Sequence, residues 1–259
     1  SAVLSRFFFG RAGATGYKRV WHLRRGGFIQ DQPLAGSWDR VWVLRKKGYD
    51  AIRDKLPPLV DTGFRSESMS HDLTAMAFQL GDFVWKTPPS VSLFSEQQLR
   101  RYDPEFYPSW VPDTKLRRPD GFTFVHKVDG QRVCAIEVEL SAKRKADYAL
   151  IRDYYGFQSD IDAVLWLVPT RTLGRRLFEI LEGGFLEKPN KHFFYLYSDF
   201  AKMGWQSSPL FGQQTVRAVL GNIPETKSQH VSAHSLLNTY KSPHRSKGYR
   251  IYQPGIRTD

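Results

Sequence analysis

The sequence predicts an α/β protein with two structured parts: a small basic helix-and-hairpin unit, then a larger α/β domain around a mixed sheet. Three observations carry this. The apolar run Ala163–Val168 (AVLWLV) has the pattern of a strand buried on both faces. Helical-period segments over 70–83, 142–155 and 172–181 alternate with that strand and with others. Ahead of them, residues 1–58 carry twelve basic residues against four acidic in short helix and turn patterns.

In order along the chain, residues 3–9 read as a short apolar helix, and Gly13-Ala14-Thr15-Gly16 as a turn with Thr15 as N-cap. A helix over 16–25 directs Val20 and Leu23 to a core and Lys18, Arg19, Arg24 and Arg25 outward. Gly26-Gly27 ends it, and Phe28-Ile29 opens an extended segment. A polar turn over 31–37 leads to a second strand over 39–44 and a helix over 45–53. Helix, turn, basic helix and two-stranded wing is the order of a winged helix-turn-helix. The run YKRVWHLRRGGFI…RVWVLRKKGYDAI resembles that family. Its charge favours DNA, with Lys18, Arg19, Arg24 and Arg25 reaching phosphates or base edges and Arg40 on the wing reaching a backbone. A winged helix used for protein pairing is the alternative.

Pro57-Pro58 and the DTGFRSES stretch read as a linker. The second domain spans 66–223. Leu73, Met76, Ala77 and Leu80 lie at helical spacing, 91–94 is a strand, and SEQQLRRY after it is a polar connection. Strands follow over 122–125 and 133–140, then a helix over 142–155 with Tyr148, Ile151 and Tyr155 on one side. The strand AVLWLV, a helix over 172–181 and a strand over 192–197 complete it. Residues 224–259 form a polar, basic tail.

The chemistry concentrates in 116–143, LRRPDGFTFVHKVDGQRVCAIEVELSAK. On a strand, residues i and i+2 share a face, so Glu137 and Glu139 point the same way, and a hairpin brings Asp120 beside them. Three carboxylates on one face repel unless a divalent cation neutralises them. Asp120, Glu137 and the Val138 carbonyl would form a hard oxygen shell for Mg²⁺ or Mn²⁺. Glu139 would ligate the ion or orient a water. Lys143 or Lys145 would neutralise a scissile phosphate, and His71 and Glu96 would border the site. The plainer alternative is a solvated strand face, or ion pairs with Arg117 and Arg118, which otherwise join the DNA-contacting set.

This order resembles the PD-(D/E)xK restriction-endonuclease-like fold. Pro119-Asp120 matches its first element and Glu137-Val138-Glu139 its second, with Glu139 where lysine more often stands. That departure removes the usual lysine beside the attacking water, a role left to Lys143 or Lys145. Taken with the basic N-terminal unit, the helix opening at His71-Asp72-Leu73, and the motifs RPD and E-x-E-L-S…K…Y, the chain over about residues 1–200 resembles the replication-relaxation and MobC-type plasmid relaxase family. The resemblance implies a DNA-processing protein of a mobile element that recognises an origin and nicks it. Its partners would be a double-stranded origin, the nicked single strand and relaxosome or conjugation proteins.

Composition narrows the classes. An excess of 38 Lys+Arg over 26 Asp+Glu, formally +12, attracts polyanions. No apolar run approaches the roughly 20 residues that span a bilayer, and no signal peptide is visible, so membrane insertion is not expected. Cys134 is the single cysteine; it excludes an internal disulfide framework and suits a reducing cytoplasm. No phosphate-loop, Gly-x-Ser-x-Gly or kinase signature occurs. His230 and His234 have ligand spacing but read as tail, and Tyr154-Tyr155 reads as packing. Three functions stay open: a metal-dependent nickase or endonuclease, a catalytically inactive DNA-binding replication or relaxosome accessory protein, and a defence-type restriction endonuclease.

Overall fold

Five strands form one mixed sheet in which their spatial order follows their order along the chain. The structure, a computed structural model, describes residues 14–33, 40–56, 58–59, 68–81, 87–127, 130–182 and 191–221. The readings for residues 3–9, for most of the linker and for the tail with His230 and His234 lie outside these residues.

The first described elements are α1 (Ala14–Arg25), β1 (Ile29–Pro33), β2 (Arg40–Leu44) and the short α2 (Lys46–Asp50), with a 3-10 turn over Arg53–Lys55. β1 and β2 pair antiparallel, Ile29 opposite Leu44. Two expectations change here. Thr15 lies inside α1 instead of capping it, and Leu23 is 44% exposed instead of facing a core. Lys18, Arg19, Arg24 and Arg25 are exposed as expected. Gly26 and Gly27 end α1, and Lys47 Nζ bonds the Gly26 carbonyl at 2.9 Å, tying α2 to that turn.

The larger sheet follows α3 (Met69–Leu80) and comprises β3 (Val91–Ser95), β4 (Gly121–Lys127), β5 (Gly130–Val138), β6 (Ala163–Val168) and β7 (His192–Leu196). The first three strands run antiparallel, and β5-β6-β7 run parallel. The parallel pairs need crossovers. These are α5 (Lys145–Phe157) and α6 (Arg171–Glu182), each joining one strand to the next. α4 (Glu96–Arg101) follows β3, while α7 (Tyr197–Met203), a 3-10 turn over Gly204–Gln206 and α8 (Val216–Val219) follow β7.

Both sheet faces are covered, which explains the unbroken apolar run of β6. On one face Ala75 and Phe78 of α3 pack with Cys134, Ile136, Leu165, Phe200 and Trp205. On the other, Tyr148, Ile151 and Tyr155 of α5 and Leu177 of α6 pack with Phe122, Ala135, Trp166 and Phe194. Gly81 ends α3 with φ +48° over the Trp205 indole, where a Cβ would stand 2.0 Å from a ring carbon. Trp205 also donates its indole N–H to the Phe78 carbonyl at 2.9 Å.

Several element bounds differ from the sequence reading, the strand expected over 133–140 covering Gly130–Val138 and the helix expected over 45–53 only Lys46–Asp50, and two further differences have identifiable reasons. SEQQLRRY holds α4, because Ser95 accepts from the Gln98 amide at 3.4 Å and the Gln98 side chain accepts from the Ser95 amide at 2.8 Å, a capping box. α5 starts at Lys145, three residues later than residue 142. The Lys143 amide donates to Tyr148 Oη at 2.8 Å and the Arg144 amide to Asp147 at 3.2 Å, so the chain turns before it coils. Among the described residues no helix is long and apolar enough to cross a membrane.

Candidate metal centre and neighbouring carboxylates

Backbone pairing continues past the ladder ends of β3 and β4. The Glu96 amide donates to the Asp120 carbonyl at 3.1 Å, and the Asp120 amide to the Ile136 carbonyl at 3.0 Å. These bonds gather Glu96, Asp120 and the end of β5 at one end of the strands. α3 brings the last member. Ser68 caps that helix by accepting from the His71 amide at 3.3 Å, which sets His71 in its first turn.

His71, Glu96 and Asp120 converge, one ligand atom of each within 4.8 Å of the others. His71 Nε2 lies 2.9 Å from the Val138 carbonyl and 3.4 Å from Asp120 Oδ2. The same Asp120 oxygen accepts the Val138 amide at 2.6 Å. Hydrogen bonding to Asp120, then to Asp72, pushes the His71 imidazole up to about 11, so a cation has to displace a proton to take His71 as a ligand. Burial raises the Glu96 carboxyl above its ordinary value, and the Asp120 charge adds to this. Arg100 opposes it from one turn along α4, 2.5 Å from Oε1. The other oxygen, Glu96 Oε2, is buried without a hydrogen-bond partner.

Glu137 and Glu139 both lie against α5, as their i, i+2 spacing requires, but they are not on an open face. Each is 3% exposed. Arg117 grips Glu137 with Nη2 at 2.8 Å from both oxygens and Nε at 3.1 Å from one. Tyr155 donates its hydroxyl to Glu137 Oε1 at 2.5 Å. Burial pushes the Glu137 carboxyl up, with the Arg117 guanidinium pulling against it, and pushes the Tyr155 phenol well up. Glu139 stands one residue past β5, and Lys143 Nζ lies 2.7 Å from its Oε2 as an ion pair without hydrogen-bond alignment.

The expected site residues therefore separate into two groups. His71, Glu96 and Asp120 come together on the α3 side. Glu137 and Glu139 sit on the α5 side, with Arg117 and Lys143 as resident cations. The Val138 carbonyl faces His71. Lys145 is exposed at the start of α5, Arg118 is exposed, and Arg117 turns inward to Glu137. On α1, Arg24 pairs with Asp31 at 3.2 Å and Arg25 stacks 5.0 Å over Trp21. Arg40 begins β2.

Sequence reasoning missed Arg100 and the hydroxyl of Tyr155. The Glu96-to-Arg100 spacing of four was a usable signal once α4 is recognised. Nothing local connects Tyr155 to a carboxylate on a neighbouring strand.

The donor set of one imidazole and two carboxylates fits a divalent transition ion such as Mn²⁺ better than Mg²⁺, which prefers oxygen alone. The unpartnered Glu96 oxygen is what such a site leaves free for a cation. No protein-family model matches the chain, and a search of curated proteins finds no match.

Proposed function

We propose that this chain is a divalent-cation-dependent DNA endonuclease, a nickase acting at a plasmid or mobile-element origin. The convergence of His71, Glu96 and Asp120, with one Glu96 oxygen buried and without a hydrogen-bond partner, carries the reading. Support comes from the basic composition, the exposed basic face of α1 and the five-stranded mixed sheet.

His71, Glu96 and Asp120 would hold Mn²⁺ or Mg²⁺. Bound there, the ion supplies Lewis-acid polarisation of a phosphoryl oxygen and a water acidified toward neutrality. The chain does the rest. The Val138 amide fixes one Asp120 oxygen, which aims the carboxylate at His71. Arg100 anchors one Glu96 oxygen and leaves the other for the ion. Lys143 sits at the surface beside Glu139, where a phosphate can compete for its ammonium, and so takes the part of the lysine missing from the strand. Arg117 holds Glu137 in place at the end of β5.

The test is conversion of supercoiled origin plasmid to open circles with Mn²⁺ or Mg²⁺. Asp120→Ala and Glu96→Gln are expected to lower the rate at least a hundredfold. Scattered double-strand cuts would instead indicate a restriction-type enzyme. A second reading has its own observation: Arg117 and Tyr155 occupy Glu137 and His71 occupies the Val138 carbonyl, as in a DNA-binding accessory protein without turnover. Metal-independent origin binding with no nicking under any divalent ion would favour it and sink the enzyme.

A further inference from the structure

We infer that the segment entering α5 and the first two turns of α6 form a DNA-backbone track leading away from the carboxylates, separate from the basic residues of α1. Six cations define it: Lys143, Arg144 and Lys145 entering α5, and Arg171, Arg175 and Arg176 on α6. All six are exposed. They belong to one surface, since Arg176 Nη2 reaches the Lys143 carbonyl at 3.5 Å. Arg171, Arg175 and Arg176 line one shallow depression, and Lys145 and Arg176 share the next. The track touches the buried carboxylates at Lys143, 2.7 Å from Glu139.

Lys143 and Arg144 have acidic partners in Glu139 and Asp147, but structural needs do not account for the three arginines of α6. Helix N-termini carry partial positive charge and favour acidic residues. α6 has no acidic residue in its first turn and places Arg171 there. α5 places Arg144 and Lys145 at its start, with Asp147 pairing Arg144 at 2.9 Å. Among the described residues, Arg171, Arg175 and Arg176 form no ion pair with an acidic side chain. Positive side chains stacked on two positive helix ends cost stability that a row of phosphates offsets. Exposed cations with amide N–H groups nearby contact phosphates and carry no base code, so the track would position DNA without selecting sequence.

The inference rests on the nuclease reading for its substrate, but its test does not need catalysis. The full chain is titrated with a labelled 30-base-pair duplex and a matching single strand, in EDTA, between 50 and 200 mM salt. Arg171→Gln/Arg175→Gln/Arg176→Gln is expected to flatten the slope of log affinity against log salt by about 2–3, at about 0.9 per lost duplex phosphate contact. Affinity at 100 mM salt is expected to fall at least tenfold. Glu179→Gln, which removes the acid lining the same depressions, is expected to tighten binding. An unchanged slope and affinity in a triple variant that melts like wild type would overturn the track. So would binding lost only for phosphatidylserine vesicles, which would make the surface a membrane contact. Lost DNA binding with no nicking by the wild type would retain the track and remove the nuclease.

Discussion

Arg117→Ala offers a direct test of how the carboxylate edge is held. It removes a guanidinium that makes three contacts of 2.8–3.1 Å to Glu137 and leaves a 3% exposed carboxylate with Tyr155 beside it. Stranding a buried charge in this way costs about 3–5 kcal/mol. Glu137 has an escape, which is to take up a proton. Starting from an ordinary value of 4.5, protonation at pH 7 costs at most about 3.4 kcal/mol, since 7 − 4.5 is 2.5 and each unit is worth about 1.36 kcal/mol. At pH 5 the same ceiling is about 0.7 kcal/mol. The expected loss is therefore about 3 kcal/mol at pH 7 and about 1 kcal/mol at pH 5, the residue being lost hydrogen bonds and packing. The sign follows from linkage: in the variant Glu137 titrates higher when folded than when unfolded, so stability is lost as pH rises. Urea unfolding at the two pH values measures it, and Arg117→Met/Glu137→Gln should recover at least half of the loss at pH 7. A loss independent of pH, or a double variant as unstable as the sum of the singles, would refute a buried ion pair as the organising contact.

Other outcomes are equally specific. His192 is pulled from 6.5 down to about 3 by burial and then by the Lys191 charge, while Trp166 donates to its Nδ1 at 3.0 Å. The unfolded chain gains a proton below 6.5 and the folded chain does not. Stability should hold above 6.5 and fall between 6.5 and 3 by up to about 1.4 kcal/mol per pH unit. His192→Gln should flatten that limb in acid titrations followed by circular dichroism. Glu96→Gln should weaken Mn²⁺ binding at least tenfold by calorimetry while leaving the melting temperature of the metal-free chain unchanged or higher, because it removes a buried charge. Gly81→Ala combines φ +48° with a 2.0 Å approach to Trp205 and should cost at least about 2 kcal/mol by thermal melting.

The large sheet was readable because its signals are local. Ala163–Val168 is apolar throughout since helices cover both faces of a parallel strand, and the stripe of Tyr148, Ile151 and Tyr155 does face the sheet. Asp120 was recognisable at the head of its strand, and His71 and Glu96 were named beside it. What stayed hidden depends on contacts between distant segments. Alternation put Glu137 and Glu139 on one face, and Arg117 was named as an ion-pair partner, which it is for Glu137; but alternation does not say that α5 covers that face or that Tyr155 adds its hydroxyl. The polar string after β3 concealed α4, because a charged surface helix of six residues has too few apolar positions to show a period.

The contact between Trp205 and α3 sets an order of events during synthesis. The indole bonds the Phe78 carbonyl across 127 residues of chain and fills the space above Gly81. A nascent chain that has delivered His71, Glu96 and Asp120 still lacks the group that seats the histidine's helix. The cluster of His71, Glu96 and Asp120 is thus completed late, after both crossover helices have left the ribosome, and a chain halted before Trp205 would leave the helix that carries His71 unseated.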